Sequence, residues 1–149
     1  MNRKFLKTIA YQFLLLFLFG ALNSLHAQKR TLKPQKDLLE TANASLSGSV
    51  GQYKYLMRQL KPDQWPRTFE NGRLLTVSPY AWISGFYPGT LLYLYEFSGD
   101  SILWNEAQKR LEGMEKLKTV TVNHDLGFMM YCSFGNALRL LNNQYYKDI

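Results

Sequence analysis

Apolar residues recur every three or four positions along most of the chain. From Asp37 to Leu60, Leu39, Ala42, Leu46, Val50, Tyr53, Met57 and Leu60 fall on one stripe and predict a helix over 36–60. The cluster Ser47, Gly48, Ser49 and Gly51 weakens it locally. Between Pro62 and Pro79, "WPRTF" and "ENGRLL" read as an irregular connector with a short extended piece at Leu74 to Val77. Helical periodicity resumes in "FYPGTLLYLYEF", breaks at Ser98-Gly99-Asp100, and returns in "SILWNEAQKRLEGMEKL" and again after Asp125. The predicted helices are 36–60, 86–98, 101–118 and 125–141. No set of strands able to form a sheet is visible, so the expected class is all-α.

A shift of 42 residues lays Gly85-Phe86 on Gly127-Phe128, Leu92 on Phe134, Tyr95 on Ala137, Asp100 on Asn142 and Trp104 on Tyr146. The repeated unit is a helix, a polar turn opened by Asp or Asn, and a second helix that folds back. Such hairpins bury their apolar faces only against neighbours, in an array or a closed ring. Ile149 matches Ala107, where the second return helix begins, so the chain is expected to be the front part of something longer.

The first 27 residues have a different character. "MNRKFLK" is basic, "YQFLLLFLFGAL" is apolar but shorter than the roughly 20 residues a spanning helix requires, and "NSLHA" ends in a small residue. Residues 1–27 are therefore expected to be a signal peptide rather than a retained membrane anchor, with 28–149 exported to a periplasm or secreted. No cysteine follows the apolar run to carry a lipid. Removing Arg3, Lys4 and Lys7 lowers the formal charge from +7 to 7 − 3 = +4. The remaining basic residues, as in "AQKRLEGMEKLK", are scattered without interleaved aromatics. They read as solvated faces, and nucleic acid is not an expected partner. With 46% hydrophobic and 15% aromatic residues, the chain has ample material for a core. Cys132 is the single cysteine, so no intrachain disulfide is possible. It reads as a small buried hydrophobe. His124, eight residues earlier, is about two helical turns away and does not make it a catalytic thiol.

The stretch "TVNHDLGFMMY" places His124 and Asp125 at the head of an apolar segment. By itself this is a helix start, with Asn123 or Asp125 as a cap. A His-Asp pair lacks the further ligands a metal needs, no glycine-rich phosphate loop follows a strand, and no serine sits in a nucleophile elbow.

Taken together, "WPRTFENGRLLTVSPYAW", "YAWISGFYPGTLLYLYEFSGD" and "NHDLGFMMY" resemble the N-terminal third of glycoside hydrolase family 88, the unsaturated glucuronyl hydrolases, over Gln64 to Leu141. Ala81 and Ile83 stand where many members carry polar residues, which bears on fine substrate preference. The resemblance implies an (α/α)6 barrel, of which 28–149 would supply an N-terminal arc of about four helices. It implies a substrate released by a polysaccharide lyase, an oligosaccharide ending in an unsaturated uronic acid, and hydration of its C4=C5 bond. It implies no metal and no organic cofactor. Asp125 matches the first of the family's two essential aspartates, and the principal proton donor lies further along the family's chain. Asp148 pairs by the repeat with Glu106, a helix-surface position, and is expected to be solvated. His124 is implied to orient Asp125 or touch substrate, and Trp82 to offer a flat face to a sugar ring, although tryptophan is more often buried packing. The chain alone is expected to be inactive. The alternatives are a non-catalytic helical-repeat module binding sugar or protein, and the related unsaturated rhamnogalacturonyl hydrolases, against which "HDLGF" argues.

Overall fold

The computed structural model describes residues 33–121 and 124–149. The expected signal peptide and Asn123 lie outside them. Helix α1 spans Lys36–Met57, strands β1 and β2 span Trp65–Glu70 and Arg73–Val77, and helices α2 and α3 span Phe86–Ser98 and Ser101–Met114. A 3₁₀ turn, Glu115–Thr119, extends α3. The next helical run is built from α4 (Leu126–Met130), a π segment (Tyr131–Gly135) and α5 (Asn136–Leu141), and α6 (Gln144–Asp148) follows.

The four predicted helices are present, with one correction to the connector between the first two. Residues 65–77 form an antiparallel hairpin rather than an irregular link. Its turn is Asn71-Gly72, both at positive φ (49° and 73°), the conformation for which Asn-Gly is preferred in a two-residue hairpin loop. The alternation that normally announces a strand is weak because nearly all of β1 after Trp65 faces outward. A second correction concerns the α1 stripe. Leu39, Ala42 and Leu46 are exposed, and the stripe meets the core only at Val50, Tyr53, Met57 and Leu60.

Helices α2 and α3 make a tight hairpin. Gly99, at φ 68°, ends α2 by donating to the Tyr95 carbonyl at 2.7 Å, and Asp100 opens α3 by accepting from the Ile102 amide at 3.0 Å. Lys54 of α1 pairs with Asp100 and ties the first helix to this turn. The core runs through Leu91, Leu94, Leu103, Ala107, Leu111 and Met114, with Met129, Phe134 and Ala137 from the last helical run.

The second copy has the same caps, displaced by one residue. Asn142, at φ 48°, ends α5, and Asn143 caps α6 through its side chain, so Gly99 and Asp100 correspond to Asn142 and Asn143 at a shift of 43. At the Gly85-Phe86 end the shift is 42. The π segment lies between these points, and a π turn inserts one residue into an α-helix. The extra residue is absorbed there.

The basic run "AQKRLEGMEKLK" is not a uniformly solvated face. Arg110 is 1% exposed and donates to the carbonyls of Lys61, Pro62 and Gln64 at 3.1, 3.1 and 2.8 Å and to Glu106 at 2.6 Å. Its guanidinium lies over the Trp65 and Tyr87 rings. Arg110 therefore anchors the segment entering β1 onto α3, and Glu106, expected at the surface, is drawn inward with it. Asp148 is exposed as expected and accepts from Gln144.

Candidate functional site

Two glycines one helical turn apart set the geometry around Asp125. A Cβ on Gly85 would lie 2.7 Å from the Phe128 carbonyl oxygen and closer still to that of Met129. One on Gly89 would collide with the Cys132 carbonyl. Only glycine allows α2 to approach the backbone of α4 and the π segment this closely. Across the same seam the Asn136 side chain donates to the Gly89 carbonyl at 3.2 Å, and Arg139 grips both carboxylate oxygens of Glu96 at 3.0 and 2.6 Å. The start of α2, bearing the aromatic residues, is thereby fixed beside the start of α4, bearing the ionisable pair.

Asp125 occupies the N-cap position of α4. Its backbone carbonyl accepts from the Phe128 and Met129 amides at 2.9 and 3.3 Å, but its side chain makes no capping bond. This corrects the reading of Asp125 as a side-chain cap. The half-buried carboxylate instead meets His124 Nε2 at 3.2 Å, and the imidazole is 92% exposed. A cleft of about 440 Å³ opens here, lined by His124, Asp125, Gly127, Phe128, Tyr131 and Cys132.

Trp82 precedes α2 and is 50% exposed, so it is not interior packing. It meets Phe86 and Phe128 edge to face at centroid distances of 5.9 and 6.4 Å, and Phe86 and Phe128 lie 6.3 Å apart. Phe128 belongs both to this aromatic triangle and to the wall of the Asp125 cleft, and so brings Trp82 into one neighbourhood with His124 and Asp125. Trp82 itself does not line the cleft. Cys132 is partly buried, and burial pushes its thiol pKa up, which keeps it protonated and poorly nucleophilic. The sequence reading missed Phe86 and Tyr131. Phe86 stands one turn after Trp82, and Tyr131, 81% exposed, opens the π segment, which periodicity does not reveal.

No protein-family model matches the chain. An unsaturated glucuronyl hydrolase of Formosa agariphila is 48% identical over 69 residues, which are 46% of this chain and 17% of that protein. The crystal structure of an unsaturated glucuronyl hydrolase specific for heparin superposes with a TM-score of 0.65 at 37% identity, covering 70% of this chain. Over these stretches the chain is similar to part of an unsaturated glucuronyl hydrolase. It spans 17% and 28% of the lengths of these two proteins. The mostly helical structure is consistent with the helical barrel fold of the second protein, and the all-α class holds apart from one small β-hairpin.

Proposed function

We propose that the chain forms part of the cleft of an exported unsaturated glucuronyl hydrolase acting on oligosaccharides that end in an unsaturated uronic acid. The observation that carries this reading is the half-buried Asp125 carboxylate, not engaged in capping, on the wall of a cleft beside an aromatic triangle. Exposed aromatic faces bind the apolar faces of sugar rings, and a carboxyl group beside the ring can take part in proton transfer. The C4=C5 bond of the substrate is conjugated with the ring oxygen and behaves as a vinyl ether. A proton adds at C4, water adds at C5 and loses a proton, and the resulting hemiketal opens and releases the neighbouring sugar. Asp125 supports the uronic ring and the proton movement, His124 orients Asp125, and Trp82 holds the rim of the aromatic surface. A second carboxyl group acts as principal proton donor.

Residues 1–27 direct export, and the mature protein works in the periplasm or outside the cell without a membrane anchor. Nucleic acid has no part in this activity. The test is the fall in ultraviolet absorbance as an unsaturated glucuronyl disaccharide is hydrated, measured for this chain and for a form extended to the length of its relatives. Turnover is expected from the extended form and negligible turnover from the 149 residues alone. An extended form with no activity on any unsaturated uronyl disaccharide would overturn the proposal.

A further inference from the structure

A second cleft, of about 340 Å³, lies between the β-hairpin and α2, with Arg67, Phe69, Tyr53, Phe86 and Thr90 among its walls. Its lining is aromatic, aliphatic and neutral except for Arg67, the sole charged residue there. The strand register explains why this arginine lines the cleft. Pro66 pairs with Thr76 and Thr68 with Leu75, so Arg67 is the extra residue of a β-bulge with no partner on β2. A bulge turns its additional side chain out of the regular alternation. The support is firm: Pro66 has a fixed φ, Trp65 is buried, and Arg110 clamps the three carbonyls just before the strand. Among the described residues the Arg67 side chain has no ion-pair or hydrogen-bond partner. A largely apolar cleft with one exposed guanidinium and no carboxylate suits an oxyanion.

Phe86 connects this cleft to the Asp125 site, because its ring lines the cleft and stands 6.3 Å from Phe128 on the Asp125 wall. A saccharide whose first ring lies by Asp125 would run over Phe128 and Phe86 toward Arg67. We infer that Arg67 is a specificity residue that receives an anionic group, a sulfate or a carboxylate, on the sugar next to the unsaturated uronic ring. The inference rests on the reading of the Asp125 cleft as the site for that ring. Arg67 recognises the far sugar and plays no part in the hydration itself.

The experiment compares three unsaturated uronyl disaccharides, whose second sugar carries a sulfate, a carboxylate or neither, on the full-length protein carrying this chain and its Arg67→Gln and Arg67→Lys variants. Both kcat/KM and calorimetric binding are measured, with circular dichroism to confirm folding. The wild type is expected to favour at least one charged disaccharide over the neutral one by on the order of tenfold, the scale of one charge-assisted contact. Arg67→Gln should abolish that advantage and leave the neutral substrate unchanged, and Arg67→Lys should restore part of it. No charged-substrate advantage in the wild type, or an equal change on all three in Arg67→Gln, would overturn the inference. Binding selectivity lost in Arg67→Gln without turnover of any substrate would sink the hydrolase reading while the anion site stands. Turnover with unaltered selectivity in Arg67→Gln would do the reverse.

Discussion

Replacing Gly89 by alanine tests whether the close approach of α2 to the last helical run holds the site together. The substitution has an intrinsic benefit, since alanine in a helix interior is favoured over glycine by about 1 kcal/mol. At Gly89 the added methyl would overlap the Cys132 carbonyl, which is backbone in a hydrogen-bonded helical run and not the end of a flexible side chain. Overpacking of this kind costs typically 1–3 kcal/mol, at the upper end where the backbone must move. Separating the two segments also stretches the Asn136 to Gly89 hydrogen bond, now 3.2 Å, a loss of about 1 kcal/mol. Clash and lost bond together come to about 3–4 kcal/mol, and the propensity gain leaves a net destabilisation of about 2–3 kcal/mol. The control is Gly51→Ala on α1, where an added Cβ meets nothing within 4 Å. That variant should gain stability by up to about 1 kcal/mol. Urea titrations followed by circular dichroism, at concentrations low enough to suppress association, give both values. A Gly89→Ala protein as stable as Gly51→Ala would refute the tight seam.

Three further outcomes follow from the same structure. Arg110→Met should cost about 3 kcal/mol or more, because it removes the cation paired with Glu106 and leaves three carbonyls without their donor, and red-shift tryptophan fluorescence as Trp65 is uncovered; Arg110→Lys should rescue little, since an ammonium lacks the planar fork. Burial, and then the neighbouring Glu106 charge, raise the Tyr87 hydroxyl pKa above its ordinary 10.0. The folded state thus holds this proton longer than the unfolded state, and its contribution is complete below pH 10.0 and lost as pH rises above it. The alkaline fall in urea midpoint should accordingly be shallower in Tyr87→Phe. Exposure of Trp82 (50%), Phe128 (54%), Tyr131 (81%) and Leu38 (63%) predicts that the isolated chain self-associates, and a monomer in sedimentation at micromolar concentration would contradict this.

The helices were legible because amphipathic periodicity reports burial, and the Gly99-Asp100 break carries both a left-handed C-cap and a side-chain N-cap. The hairpin was not, because its strands bury little beyond Trp65; its readable signal was the Asn71-Gly72 turn alone. The one-residue drift of the repeat was hidden because Asn142 and Asn143 are chemically equivalent at the turn, and the insertion shows only as a π segment further back. In the site, "NHDLGF" singled out Asp125 and His124 and the tryptophan before Gly85-Phe86 singled out Trp82. The carboxylate's lack of a capping bond and the Phe86 and Phe128 bridge depend on tertiary contact between α2 and α4. Arg67 and Arg110 illustrate the limit most clearly. By sequence each is simply a basic residue, yet Arg110 is fully buried against the segment entering the β-hairpin and Arg67 is turned by a bulge into a cleft.

The role of Asp125 is tested most directly by Asp125→Asn in a form of the protein extended to the length of its relatives, followed by the ultraviolet signal of the C4=C5 bond on an unsaturated glucuronyl disaccharide. Asparagine keeps the shape of the side chain and removes its ability to carry a proton or a charge. With folding confirmed by circular dichroism, kcat should fall by on the order of a hundredfold or more, the scale expected for a positioned acid–base group. A folded Asp125→Asn protein with undiminished kcat would contradict the account and leave Asp125 as no more than the first residue of a helix.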